Sequence, residues 1–319
     1  MKKTLRASTL ALAFGLSALF LPAGDAQAAG LEMDSSALSA ATRSGLEQQI
    51  EQARGEVPLL FKAVGDIVRD AAAIDARARA RGIPFTAQLK ALGPRALMPM
   101  LEVVAFEAKI AKDVPASARA ALRVGLLEAI GSIRDDRAVP VLTHVMTQSR
   151  DAKIAQASVT ALSRIGTDAA MTSVSHFATT LHQAEPGGAR EQAVLAGLHD
   201  CHREVAAHIL VARYDAGADE ATARIIVKSL GGVANAWAWR ALGNGPEYAA
   251  TRSTAAEALV RAFVERPGAV RDAAAKAILV VDDPQTPTLL KKAAAGAGED
   301  TVRAIDELAR RFAANPTRL

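Results

Sequence analysis

The stretch Leu122-Arg123-Val124-Gly125-Leu126-Leu127-Glu128-Ala129-Ile130, with the turn Arg134-Asp135-Asp136 and then Ala138-Val139-Pro140 behind it, decides the architecture. Its apolar and small residues recur at spacings of three and four, the mark of a helix with one buried face. The turn ends that helix. A proline near the start of the next one loses nothing, because its missing N–H would have had no partner there. The same order returns at Val270-Arg271-Asp272-Ala273-Ala274-Ala275-Lys276-Ala277-Ile278, with Asp282-Asp283-Pro284 as the turn and Thr286-Pro287 opening the following helix. A helix pair written twice at a distance in one chain predicts a stack of such pairs.

Weaker copies lie between these two. Asp151 to Leu162 leads into Ile165-Gly166-Thr167-Asp168, and Asp219 to Leu230 leads into Gly231-Gly232-Val233. Aligning Ala129, Ala161, Leu195, Ser229 and Ala277 gives steps of 32, 34, 34 and 48 residues. The first three steps fit one helix pair. The last holds an insertion near 243–254, around Gly243-Asn244-Gly245-Pro246, which predicts an extra helix or a long loop before Ala255. An earlier copy starts at Leu92-Gly93-Pro94, and a closing helix follows Asp300. Each pair has too much apolar surface to stand alone, so neighbours must stack to cover it.

The segments Ala129 to Val139, Ala161 to Met171, and Ala277 to Asp283-Pro284 resemble the HEAT-like repeats of the phycobilin-lyase type, and the resemblance covers roughly residues 92–313. It implies an all-α, right-handed αα superhelix. It also implies a polar ladder down the stack, with an Asp in the turn and an Arg in the second helix recurring from unit to unit. Asp135 and Asp283 match the turn position, and Arg123, Arg271 and Arg303 match the helix position. The middle copies hold Thr167, Cys201 and Asn235 in place of the Asp, and Ala155 and Ala223 in place of the Arg. The resemblance by itself would also imply a bilin-lyase-like or nucleic-acid-repair activity, and export argues against both.

Export is read from residues 1–28. Lys2, Lys3 and Arg6 precede an apolar run from Leu10 to Leu21, and Ala26-Gln27-Ala28 supplies a small-x-small exit. That is the pattern of a secretory signal peptide, and the run is shorter than the roughly 20 apolar residues a membrane span needs. No twin arginine is present and no cysteine follows the run to take a lipid. The expected product begins near Ala29 with no membrane insertion, in the periplasm, or secreted if the host lacks an outer membrane. Residues 29–91 read as an N-terminal helical cap, with Leu46, Ile50, Leu59, Leu60, Val64, Ile67 and Val68 at helical spacing and Gly82-Ile83-Pro84 as its end. The repeat array then fills 92–319.

Composition limits the function classes. The apolar fraction is 50% of 319 residues, yet only 8 Phe, 2 Trp and 2 Tyr are present, so Ala, Leu, Val and Ile must build the core. The formal charge is +4, of which residues 1–28 carry +2, too little to propose nucleic acid or an anionic membrane as partner. The single cysteine rules out an internal disulfide.

Few residues offer chemistry. His199, Cys201, His202 and His208 gather the only thiol and three of the six histidines, donors that suit zinc or copper. The alternative puts Cys201 at the Asp place of the repeat turn and His208 at a core position equivalent to Leu142. His144 and His176 take equivalent places 32 residues apart and predict a pH-sensitive outer patch or solvent-facing filler. Arg77, Arg79 and Arg81 offer an anion patch or a solvated helix end. Trp237 and Trp239 point about 200° apart on a helix, so Trp239, aligned with Val139, is expected to be buried. Trp237 is expected to be exposed, a partner-binding anchor with Tyr248 beside it or a side chain covered by the insertion. No nucleophile elbow, phosphate loop or zinc-protease helix is visible, so the expectation is a protein that is not an enzyme and has no cofactor. Its expected role is that of a scaffold for an envelope protein or peptide, held along a groove lined by the second helices. The alternative is a small-ligand or metal carrier using 199–208.

Overall fold

Small side chains set how closely these helices pack. In the computed structural model, residues 31–78, 84–106, 114–243 and 245–315 are described, and they form seventeen α-helices and no strand. The signal segment 1–28, Arg79, Arg81, Gly82, Ile83 and Asn244 lie outside the described residues. The chain begins with α1 (Ala40–Glu56), α2 (Pro58–Arg69) and α3 (Ala71–Ala78). Four pairs follow: α4 (Pro84–Ala91) with α5 (Leu97–Ala105), α6 (Ala116–Ile133) with α7 (Val139–Gln148), α8 (Ala152–Ile165) with α9 (Asp168–Ala184), and α10 (Ala189–Gly197) with α11 (Glu204–Asp215). Then come α12 (Glu220–Val233), a short α13 (Ala236–Leu242), α14 (Pro246–Glu265), α15 (Ala269–Val281), α16 (Thr286–Ala294) and α17 (Glu299–Ala313).

The helices sort into two layers. α4, α6, α8, α10, α12 and α15 pack in sequence along one layer, and α5, α7, α9, α11, α14 and α16 along the other. Each layer is continuous and each pair contributes one helix to each, so the molecule is an all-α superhelix of HEAT-like helix pairs. The first layer is the tighter one. A Cβ placed on Gly131 of α6 would stand 2.4 Å from the Ala161 Cα of α8, and one on Gly231 of α12 would stand 3.0 Å from the Ala277 Cβ of α15. The layer of first helices is called the inner layer and the layer of second helices the outer one.

The turns explain why the repeat is regular although its residues vary. The first helices end on left-handed residues at equivalent places, Arg134 (φ 61°), Gly166 (φ 67°) and Asp282 (φ 49°). This conformation turns the chain sharply and lets the last amide reach back to a helix carbonyl. One residue later the turn position takes up amides at the start of the next helix or of the short turn that leads into it. Asp135 accepts from the Arg137 N–H at 3.0 Å, Thr167 from Ala170 at 3.4 Å, Asn235 from Trp237 at 2.9 Å and Asp283 from Gln285 at 2.8 Å. Asp, Asn and Thr thus perform one task, the capture of amides that a helix start leaves without partners.

The implied Asp–Arg ladder does not form. Arg123 pairs with buried Glu32, Arg271 donates to the Phe263 and Val264 carbonyls, and Arg303 pairs with Asp300. Other arginines tie repeats together instead. Arg203 reaches the Gly166 carbonyl, Asp168 and Glu247, while Arg164 reaches Asp200 at 2.6 Å.

Two boundaries move. α4 was grouped with the N-terminal cap, but it packs along α6 as the first member of the inner layer, so the stack starts before residue 92. The extra element sits earlier than 243–254: α14 fills the outer layer between α11 and α16, and the seven-residue α13 (Ala236–Leu242) is the additional helix, resting on α15. One apolar core runs unbroken from Met33 to Phe312. At its far end α17 buries Ile305, Leu308 and Phe312 and exposes charged residues, which closes the stack against water. No helix of the described residues is long and apolar enough to cross a membrane.

Candidate functional site

The four proposed metal donors sit where one turn meets α11, and the turn scatters them. Cys201 is fully buried, its Sγ 3.5 Å from the Met171 Sδ, and burial pushes its thiol up to about 12. His202 is held inward with Nδ1 3.3 Å from the Val233 carbonyl, and burial lowers its pKa below the ordinary histidine value. His199 is exposed and lies against Gly232, where a Cβ would come within 2.3 Å of its ring. His208 is exposed on α11 beside Glu204 at 3.3 Å. The zinc or copper site expected from 199–208 is corrected on this geometry. A thiol facing the core and imidazoles facing three ways do not converge, and among the described residues no three His, Cys, Asp or Glu side chains are placed to share an ion.

Trp239 does turn inward. Its Nε1 donates to the Val233 carbonyl at 2.8 Å, and its ring packs edge-on to His202 at 6.0 Å and against Tyr248 at 5.3 Å. Arg252 stands 4.9 Å over Tyr248 and donates to the Val281 carbonyl at 3.0 Å, binding the start of α14 to the end of α15. Tyr248 is therefore buried as structural packing and is not a surface partner of Trp237, which corrects its assignment as a partner-binding residue. Trp237 itself is 60% exposed, with the Arg240 guanidinium 4.8 Å over its ring.

His144 is half-buried on α7, where burial lowers its pKa, and His176 is exposed on α9. Arg77 donates to the Ala73 carbonyl of its own helix at 3.2 Å.

The feature that sequence reading missed lies between α12 and α15. A depression of about 560 Å³ is lined there by Arg224, Lys228, Lys276, Asp272, His199 and Val280, with Asn235 at its edge. The three cations are exposed and none forms an ion pair with a described residue. Val280 is 40% exposed, and Trp237 follows Asn235 by two residues. Arg224 and Lys228 stand four apart on one helix face, a spacing visible in the sequence, but Lys276 joins them only through the contact of two helices far apart in the chain.

Comparison with known proteins adds little beyond the architecture. No protein-family model and no curated protein matches the chain. Among solved structures, the chain is similar to human deoxyhypusine hydroxylase in complex with glycerol, at 15% identity and a TM-score of 0.29, over 83% of this chain and 98% of that one. That neighbour is by its name a hydroxylase, which stands against the expectation, drawn from missing catalytic motifs, of a protein that is not an enzyme. The likeness assigns no activity here, since one architecture hosts many.

Proposed function

We propose that this chain is an exported HEAT-like repeat protein of the phycobilin-lyase type that acts in the periplasm as a scaffold, holding an acidic segment of another envelope protein along its inner groove. The observation that carries this reading is the depression between α12 and α15. Three exposed cations that form no ion pair with a described residue, Arg224, Lys228 and Lys276, line it together with exposed Val280, and exposed Trp237 follows the lining Asn235 by two residues. Cations draw carboxylates and fix their register, while an exposed aromatic supplies a desolvated anchor. Export rests on the signal pattern of residues 1–28.

Two measurements test the proposal. N-terminal sequencing of the product from an envelope fraction is expected to start near Ala29; a chain starting at Met1 in the cytosol removes the export half. For the scaffold half, envelope extract is passed over wild type and over Trp237→Ser/Lys228→Glu/Lys276→Glu. A saturable partner held by wild type in low salt, weakened by salt and lost on the triple variant, supports it. Equal retention by both proteins rejects it.

A further inference from the structure

The walls of the depression between α12 and α15 have a definite length and backbone chemistry. On α12 the lining runs from Arg224 to Asn235 and on α15 from Ala269 to Val280, in each case about 16 Å of chain at helical rise. The two helices touch where a Cβ on Gly231 would stand 3.0 Å from the Ala277 Cβ. Ala273 lines the seam as well, so this stretch of floor carries no long side chain. Charge is divided unevenly between the walls. Arg224 and Lys228 stand four residues apart on α12, while α15 sets Lys276 four residues after Asp272. Three cations face one carboxylate, and the seam is positive.

An occupant must also satisfy its own main chain. From Arg224 to Leu230 and from Asp272 to Ile278 the N–H and C=O groups of the walls are bonded within their helix or to its cap. A bound strand gains affinity by pairing with a free sheet edge, and the described residues contain no strand. A helix arrives with its N–H and C=O groups already paired along its length. It packs on other helices at about 8–10 Å between axes, a separation that depends on the side chains at the contact and that alanine and glycine permit. We infer that the depression receives an acidic amphipathic helix of about three turns, its apolar face on Ala273, Ala277 and Val280 and its carboxylates toward Arg224, Lys228 and Lys276. This rests on the reading of the groove as the site of an acidic protein segment, and it gives that segment its conformation and its length.

The probe is a fluorescent peptide of about four helical turns, with an alanine and leucine face flanked by glutamates four apart. It is made in three forms of equal charge: linear, held helical by a hydrocarbon staple on its solvent side, and broken by a central proline. Anisotropy titrations against the full chain are expected to rank the stapled form first and the proline form last, at least about tenfold apart, because only the first arrives in the bound conformation. Lys228→Glu/Lys276→Glu changes two exposed side chains and should weaken the stapled peptide at least about tenfold while the circular dichroism spectrum stays that of wild type. Lys291→Glu/Lys292→Glu makes the same change of net charge on exposed positions of α16 and should leave the affinity within about twofold, since charges beyond a Debye length are screened. Equal affinity for the stapled and proline forms overturns the helical occupant; if that binding is still lost in Lys228→Glu/Lys276→Glu, the acidic segment stands without its helix. Stapled-peptide binding that survives Lys228→Glu/Lys276→Glu overturns the placement. No binding of any form at millimolar protein removes the helix and the acidic segment together.

Discussion

At the scale of single residues, environment outweighs identity. Cys201 was conspicuous in the sequence as the lone thiol, but its burial against Met171 and its pKa near 12 keep it as the neutral thiol. Alkylation of the native protein near pH 8 should run at least about a hundredfold more slowly than that of a free thiol, and reach the ordinary rate on unfolding. A fast native reaction would contradict the burial. His202 gives a pH test with a definite sign. Burial depresses its pKa, so the folded state holds it neutral while the unfolded chain protonates it at the ordinary value. Stability is complete above that value and is lost as pH falls through it. Melting temperature should drop between about pH 7.5 and pH 5.5, and drop less in His202→Gln. The opposite dispositions of Trp237 and Trp239 were readable, because helix geometry alone separates them. The scatter of His199, Cys201, His202 and His208 was not, because a 3-10 turn passing into an extended residue and then a helix sends near neighbours in unrelated directions.

Among elements, the helix pair and its turn could be read directly, since hydrophobic period and turn residues are local signals. Which helix of the inserted region would carry the outer layer was not local. It depends on length: α13 has seven residues and α14 has twenty, and only the longer spans from α11 to α16. The glycines make the packing testable. Gly131→Ala puts a methyl into the Ala161 backbone and should cost about 1–3 kcal/mol, read as a lower denaturant midpoint. Gly45→Ala, inside α1 with nothing within 4 Å of the new methyl, should instead raise stability by about 0.5–1 kcal/mol. Equal effects of the two would mean that the α6–α8 contact is looser than described.

For the whole molecule, repetition predicted the stack, but the depression comes from helices meeting across tens of residues, which no single window of sequence displays. Stacks of this kind couple mainly to nearest neighbours, so unfolding need not be all-or-none. Both tryptophans sit on α13. Their fluorescence should therefore report a urea transition displaced from the one seen by far-ultraviolet circular dichroism, which averages every helix. Removing residues 299–319 strips α17 from the end and should widen that separation, with more binding of a hydrophobic dye. Coincident transitions in both forms would show a single cooperative unit.

Where Gly131 meets Ala161 and Gly231 approaches Ala277, there is no slack left between neighbouring backbones. A force squeezing the two ends together should meet a hard stop, whereas one drawing them apart needs only the outer rods to lean over.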